Sequence, residues 1–314
     1  MTTLITGGTG FLGSYLAREL ASNGEHTVLF EYNPNFGKIS WRGMDNEVEL
    51  IRGDLSVMEE VFDVLKTYDV ETVYHTGALL SSIAEENPQR AFRVNLDGTF
   101  NILEGSRIQG VKKVIFTSTI ATFGSGVDDP VSDSASQRPV TIYGVTKVSS
   151  ERLGEYYHRK FGLNFRGIRF PSVIGAGRGP EGVSGYTTLM FEEPLRGRPY
   201  EVYVGADSIT PLMYVKDAVK ALISLGNADE KGLKRRIYNI AGISPTAGEI
   251  REEIKKFTEA EISFKPVPAM QQIIDSWPSR VDDSCASSEW GWQVEYDLVR
   301  MIEDFASEIA DLEI

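Results

Sequence analysis

Cysteine is almost absent from this chain of 314 residues: Cys285 stands alone, so neither an internal disulfide nor a thiolate metal site can form, and a reducing compartment suits it. Basic charge is also short. Thirty-two Lys and Arg face 45 Asp and Glu, a formal net charge of −13, which leaves no basic excess for a phosphate backbone or an anionic membrane; no nucleic-acid and no membrane partner is expected. A small or enclosed anionic ligand remains allowed. No uninterrupted apolar run reaches the ~18 residues of a membrane span. The start, Met1-Thr2-Thr3-Leu4-Ile5-Thr6, carries no basic region and no small-residue cleavage site, so a cytoplasmic protein is expected. The three histidines, His26, His75 and His158, lie far apart and outside ligand spacing, and no metal site is expected.

What the chain has is glycine, 30 residues, somewhat above the average usage of roughly 7% and gathered where backbone must turn tightly or approach a ligand. Short β-rich runs alternate with helical patterns through the first half, as a parallel sheet with crossover helices requires. Strands are expected at 2–6, 26–31, 47–52, 72–75, 113–118 and 164–170, with helices beginning near Gly10, Ser56, Pro88 and Tyr143. Ser56 and Glu59 have the spacing of a capping box. The fold class is therefore α/β: a Rossmann-type doubly wound parallel sheet, with a smaller α/β substrate-binding lobe. From Pro171 to Pro211 periodicity is lost, and a loop region that long is usually functional. A helix at 215–225, a strand at 236–240 and helices at 247–258 and 297–309 follow. The expected division is 1–170 plus 209–242 for the cofactor domain and 171–208 plus 243–314 for the lobe.

Immediately after the first strand comes Gly7-Gly8-Thr9-Gly10-Phe11-Leu12-Gly13. Such glycines let backbone N–H groups and a helix N-terminus approach a pyrophosphate. The string parses with glycines at 8, 10 and 13 or at 7, 10 and 13, and the motif does not choose. Glu31 ends the next strand about where a ribose hydroxyl ligand is expected, ~20 residues on. The neighbouring Tyr32, Asn33, Pro34 and Asn35 offer no cation for a 2′-phosphate, which favours NAD over NADP. Two further strand ends, Asp54-Leu55 and Gly77-Ala78-Leu79, point at the same crevice. Asp54 has two open roles, accepting from the adenine amine or helping to start the next helix.

Tyr143 and Lys147 stand four residues apart, hence on one face of a helix. Free tyrosine, with a pKa of about 10, is too weakly acidic to serve as a base at neutral pH, but an adjacent ammonium and a cationic nicotinamide would stabilise its phenolate. The run Thr117-Ser118-Thr119 ends a strand where a hydroxyl could face the same substrate oxygen.

Cradle, acidic residue, hydroxyl and Tyr/Lys pair in this order resemble the extended short-chain dehydrogenase/reductases of the NAD-dependent epimerase/dehydratase superfamily, over essentially the whole chain. The resemblance implies that the hydroxyl lying five positions before the Gly of Phe123-Gly124 is the catalytic one, Thr119. It places Asn95 as the structural and relay asparagine beside the cofactor, and Phe170 at the cofactor-side end of its strand. Within the family the chain looks closest to the short-chain type of L-threonine 3-dehydrogenase, through 118–124, 137–144, Pro211-Leu212-Met213-Tyr214, Asp275-Ser276-Trp277-Pro278 and Trp290-Gly291-Trp292.

It departs from that pattern in the substrate loop. Ser172-Val173-Ile174-Gly175 and 181–188 replace a Gly and a Gly-Gly-Gly-Thr-Thr-Asp-Tyr run, and Ile209 stands where an Arg is expected. The resemblance implies hydroxyl oxidation by Thr119, Tyr143 and Lys147 on a small β-hydroxy amino acid, with Ser81, Thr187 and Thr188 as contacts for its carboxylate or ammonium, and a homodimer. The enzymatic rival is a nucleotide-sugar epimerase, for which the diphosphate-holding Arg is missing; Arg178, Arg196 and Arg198 could substitute but read by default as solvated loop charges. The non-enzymatic rival is an NAD-sensing scaffold, against which the retained Tyr143, Lys147 and Thr119 speak.

Overall fold

Short apolar and β-branched runs, bounded by glycine or polar turns, form the strands. The computed structural model describes residues 2–35 and 47–312. The strands are β1 (Thr2–Thr6), β2 (His26–Glu31), β3 (Val48–Arg52), β4 (Thr72–His75), β5 (Lys113–Thr119), β6 (Phe165–Phe170), β7 (Ser172–Ile174), β8 (Tyr200–Val202), β9 (Leu212–Tyr214), β10 (Ile237–Asn239) and β11 (Ile262–Phe264). Seven of them make one parallel sheet in the order β10-β6-β5-β4-β1-β2-β3. The order reverses between β1 and β4, and the carboxyl ends of the strands there form the crevice where open α/β sheets bind ligands.

Helices cover both faces: α1 (Phe11–Ser22), α2 (Met58–Thr67), α3 (Ser81–Glu86), α4 (Pro88–Ala91), α5 (Gly98–Gln109), α6 (Ile142–Phe161), α7 (Gly185–Leu195), α8 (Val215–Asn227), α9 (Ala247–Ile254), α10 (Pro268–Asp275), α11 (Ser284–Trp290) and α12 (Leu298–Leu312). One apolar core, with Leu16, Ile115, Leu222 and Phe305, lies between the sheet, α1, α8 and the C-terminal elements. A second, with Val61, Ile102, Val114 and Phe165, lies under α2, α5 and α6. Burial on both faces explains the continuous apolar run Val28-Leu29-Phe30 of β2. No helix among the described residues is long and apolar enough to cross a membrane.

Two local expectations are corrected. The Ser56/Glu59 pattern forms no capping box: the Ser56 backbone N–H and hydroxyl both donate to Asp54 Oδ1 at 2.8 Å, and α2 starts at Met58 behind Val57. A true capping box instead opens α9, between Thr246 and Glu249. The aperiodic stretch 171–211 contains β7, α7 and β8, not loop alone. Tyr186, Thr187, Thr188, Met190, Phe191 and Pro194 of α7 are all buried, so the helix has no polar stripe for a periodicity reading to find.

Candidate functional site

At the carboxyl ends of β1, β2, β4, β5 and β6 opens a cavity of about 610 Å³. Gly7, with φ +64°, turns the chain from β1 toward α1. A Cβ on Gly7 would lie 2.7 Å from Cα of Gly77, and one on Gly13 would lie 2.3 Å from the Gly7 carbonyl oxygen. Gly10 N–H donates to that same carbonyl at 2.9 Å. A Cβ on Gly8 would lie 2.7 Å from the Leu29 Cβ, so packing requires glycine there as well. Gly7, Gly10 and Gly13 line the cavity and Gly8 does not, which favours the parse at 7, 10 and 13. The first turn of α1 holds no acidic residue and no side-chain cap, so its N–H groups face the cavity as an anion cradle.

Glu31 lines the cavity. Its Oε2 accepts from Thr9 N and Oγ1 at 3.3 and 3.1 Å, and its Oε1 from Tyr32 N at 3.0 Å. These bonds fix the carboxylate at the end of β2. Phe11, Leu12, Asp54, Leu55, Gly77, Ala78, Leu79 and Phe170 line the same wall. Asp54 organises the turn into α2 through Ser56 and also lines the cavity.

Asn95 is placed differently. It is buried in a π-helical turn at Phe92–Asp97, outside the cavity lining, with Oδ1 accepting from Leu79 N at 2.7 Å and Nδ2 donating to Leu79 O at 3.0 Å and Thr146 Oγ1 at 3.2 Å. It positions the lip and α6 rather than reaching a ligand. His75 is fully enclosed between Thr6 and Thr99 hydroxyls, and burial, then the nearby Lys147, pushes its pKa down to about 3. It is a neutral strut beneath the cradle.

Thr141 caps α6, its hydroxyl accepting from Gly144 N at 3.1 Å, and so sets the helix that carries Tyr143 and Lys147. Both line the cavity with Thr119. Thr119 Oγ1 accepts from Ala121 N at 3.1 Å and retains its own proton to donate. Lys147 Nζ donates to Thr117 O at 2.6 Å and lies 4.6 Å from the Phe116 ring centre and 5.8 Å from that of Tyr143. Burial lowers its pKa to about 7, with Glu151 opposing. Burial raises the Tyr143 pKa to about 12, and the cation that opposes this rise is Arg178. The expected depression of the Tyr143 pKa by Lys147 is therefore not what this state displays.

Two of the three expected substrate contacts are corrected. Thr187 and Thr188 are fully buried and lie outside the cavity lining. The Thr187 hydroxyl pairs with Ser172 at 3.0 Å and donates to Ser184 O at 2.7 Å, while the Thr188 hydroxyl accepts from Arg178 at 2.9 Å. Ser81 does line the cavity, accepting from Val183 N at 3.4 Å. Arg178, Glu181, Ser184 and Trp277, missed as site residues in the sequence, complete this end. Arg196 and Arg198 pair with Glu192 and Glu193 away from it.

A family model described as the NAD dependent epimerase/dehydratase family matches residues 3–241. The mitochondrial L-threonine 3-dehydrogenase of Bos taurus is 33% identical over 304 residues, 95% of this chain and 80% of that protein. A holo structure of L-threonine dehydrogenase from Cupriavidus necator superposes with a TM-score of 0.92 at 30% identity, covering 98% of this chain and 100% of that one. A UDP-glucose 4-epimerase from Thermotoga maritima shares the fold, at 24% identity and a TM-score of 0.88 with both chains fully covered. With its sheet order, its glycine cradle and a match across most of its length, the chain belongs to the NAD dependent epimerase/dehydratase family.

Proposed function

We propose that this chain is an NAD-dependent dehydrogenase that oxidises the secondary hydroxyl of a small β-hydroxy amino acid, L-threonine-like, to the 3-keto product. The observation that carries the proposal is the convergence of Tyr143, Thr119 and Lys147 on one cavity whose other end is the Gly7/Gly10/Gly13 cradle. The cavity fits the cofactor chemically: only glycine at 7, 10 and 13 avoids backbone clashes under 3 Å and so permits this tight turn into α1, and Glu31 ends β2 with a carboxylate free of any cation partner among the described residues, as a ribose diol needs. When bound, NAD supplies the hydride acceptor. Tyr143 Oη takes the substrate hydroxyl proton, Thr119 orients that hydroxyl, and Lys147, fixed by Thr117 O, holds the ribose and adds positive charge near the phenolate. Ser81 faces the substrate end, and the segments 171–208 and 243–314 form the lobe that covers it.

NADH production measured against threonine, serine, 3-hydroxy acids and nucleotide sugars tests the proposal. Threonine or a close β-hydroxy analogue should lead; turnover of a nucleotide sugar with no threonine oxidation would overturn it.

The same proposal includes a cytoplasmic homodimer. Phe100 and Ile108 of α5 and Val145, Tyr156 and Phe161 of α6 are exposed, and Phe100, Tyr157, Tyr156 and Phe161 touch ring to ring. A contiguous apolar face of this kind is the surface a second copy covers. Sedimentation of the wild type and of Tyr156→Glu should give dimer and monomer respectively; a monomeric wild type would contradict it.

A further inference from the structure

We infer that Arg178 is the subsite for the substrate's carboxylate, and so the residue that selects an acid over a neutral alcohol. The inference rests on the dehydrogenase reading above and names its substrate class more closely. Arg178 leaves the turn 175–179 and lines the cavity that Tyr143 also lines. Its protein partners are all neutral: Nη1 donates to Thr188 Oγ1 at 2.9 Å and Ser184 O at 3.4 Å, and Nη2 to Ser184 Oγ at 3.0 Å. No carboxylate among the described residues lies within ion-pair distance of it, and none of these bonds uses Nε. Enclosure therefore destabilises the cation, lowering its pKa to about 10 against the opposing effects of Tyr203, Glu181 and Tyr143.

A half-buried guanidinium at a cavity wall, with no carboxylate within ion-pair distance among the described residues, is better satisfied when an anion arrives with the ligand. The neutral bonds hold its plane, leaving a planar donor edge that matches a carboxylate. Its reach fits a β-hydroxy acid. Arg178 is close enough to Tyr143 to act on its phenol, and in such an acid the carboxylate sits two carbon–carbon bonds from the carbinol carbon that Tyr143 serves. Glu181 lines the same end of the cavity, so this wall presents a cation and an anion, the complement of an amino-acid zwitterion. Thr188, expected to meet substrate directly, acts instead through Arg178.

The test compares wild type, Arg178→Met and Arg178→Lys on L-threonine, 3-hydroxybutyrate, which lacks the ammonium, and 1-amino-2-propanol, which lacks the carboxylate. Arg178→Met should lower kcat/KM for the two acids about 100-fold, mainly through KM, and change the amino alcohol by less than about 3-fold. Arg178→Lys should recover part of the loss, and NADH affinity, read by fluorescence, should be unchanged in both variants, showing that they fold. Equal losses on all three compounds would overturn the assignment. Titration of the NADH complex with 3-hydroxybutyrate reads the subsite without turnover. Saturation in wild type that is lost in Arg178→Met supports it even if no tested alcohol is oxidised, which would overturn only the functional reading. Equal affinity in both proteins, or no saturation in wild type, overturns the Arg178 assignment itself.

Discussion

Arg169 grips Glu151 with two parallel hydrogen bonds beneath the floor of the cavity, Nε to Oε1 at 2.9 Å and Nη2 to Oε2 at 2.8 Å, both side chains almost wholly buried. Glu151 also accepts from the Ser118 hydroxyl and from Gln137. The Ser118 hydroxyl is thereby committed to Glu151, which leaves the Thr119 hydroxyl as the available donor of this strand end at the cavity. Arg169→Met should strand the buried carboxylate and lower stability by about 3–5 kcal/mol, checked by urea unfolding. A loss under 1 kcal/mol, well below that range, would contradict the pair's structural role.

Lys147 gives stability a pH dependence whose sign is fixed. Its folded pKa, about 7, lies below the ordinary 10.5, so between these values the unfolded chain binds a proton that the folded chain does not. Stability from this group is then present at high pH and lost as pH falls toward 7, by up to about 1.4 kcal/mol per pH unit. Urea midpoints from pH 7 to pH 10 should rise more steeply in the ligand-free wild type than in Lys147→Met. Parallel curves would contradict the burial of the ammonium.

Tyr143→Phe should lower kcat by about 10³-fold while NADH binding stays within a few-fold of wild type. In the wild type, the ligand-free phenol titrates near 12, so the rate of oxidation should climb with pH through the neutral and alkaline range. Because Arg178 lowers that pKa, Arg178→Met should move the rising limb to higher pH, measured with an uncharged secondary alcohol that does not itself titrate. A shift to lower pH would refute the electrostatic coupling.

The Gly7/Gly13 contact predicts unequal costs for adding a methyl group. In Gly13→Ala the new Cβ would press on the Gly7 carbonyl from 2.3 Å, and backbone must move; about 1–3 kcal/mol of stability and at least a tenfold loss of NADH affinity are expected. In Gly8→Ala the new Cβ would press on the Leu29 Cβ from 2.7 Å, so stability should fall here too, but Gly8 lies outside the cavity lining and the loss of NADH affinity should be smaller. Thermal melts with NADH titrations measure them.

Much of this site could be read from the sequence because its logic is local. The cradle follows a strand and opens a helix, Glu31 ends the next strand, and Tyr143 and Lys147 share a helical face by spacing alone. The sheet could be read because parallel strands buried on both faces are short apolar runs. Features depending on distant partners could not. α7 turns Tyr186, Thr187, Thr188, Met190, Phe191 and Pro194 inward, a mixture of apolar and polar residues that offers no stripe for periodicity to find, whereas β10 falls within the strand expected at 236–240. Thr187 and Thr188 follow the substrate loop in sequence, yet the helix turns them inward. Arg178 looked like a solvated loop charge because only the folded turn shows that its partners are neutral and that it lines the cavity with Tyr143. The one sequence signal is its place among the three arginines, Arg178, Arg196 and Arg198, that could substitute for the missing diphosphate-holding Arg.

The most direct test of the account is the fate of the hydrogen on the carbinol carbon. Incubated with NAD and L-threonine deuterated at Cβ, the wild type should accumulate reduced cofactor carrying that deuterium, detected by mass spectrometry, with a slowed rate relative to unlabelled threonine. Tyr143→Phe should form almost none. Reduced cofactor without the label, or no reduced cofactor from threonine while a nucleotide sugar is epimerised, would contradict oxidation at Cβ as the reaction of this chain.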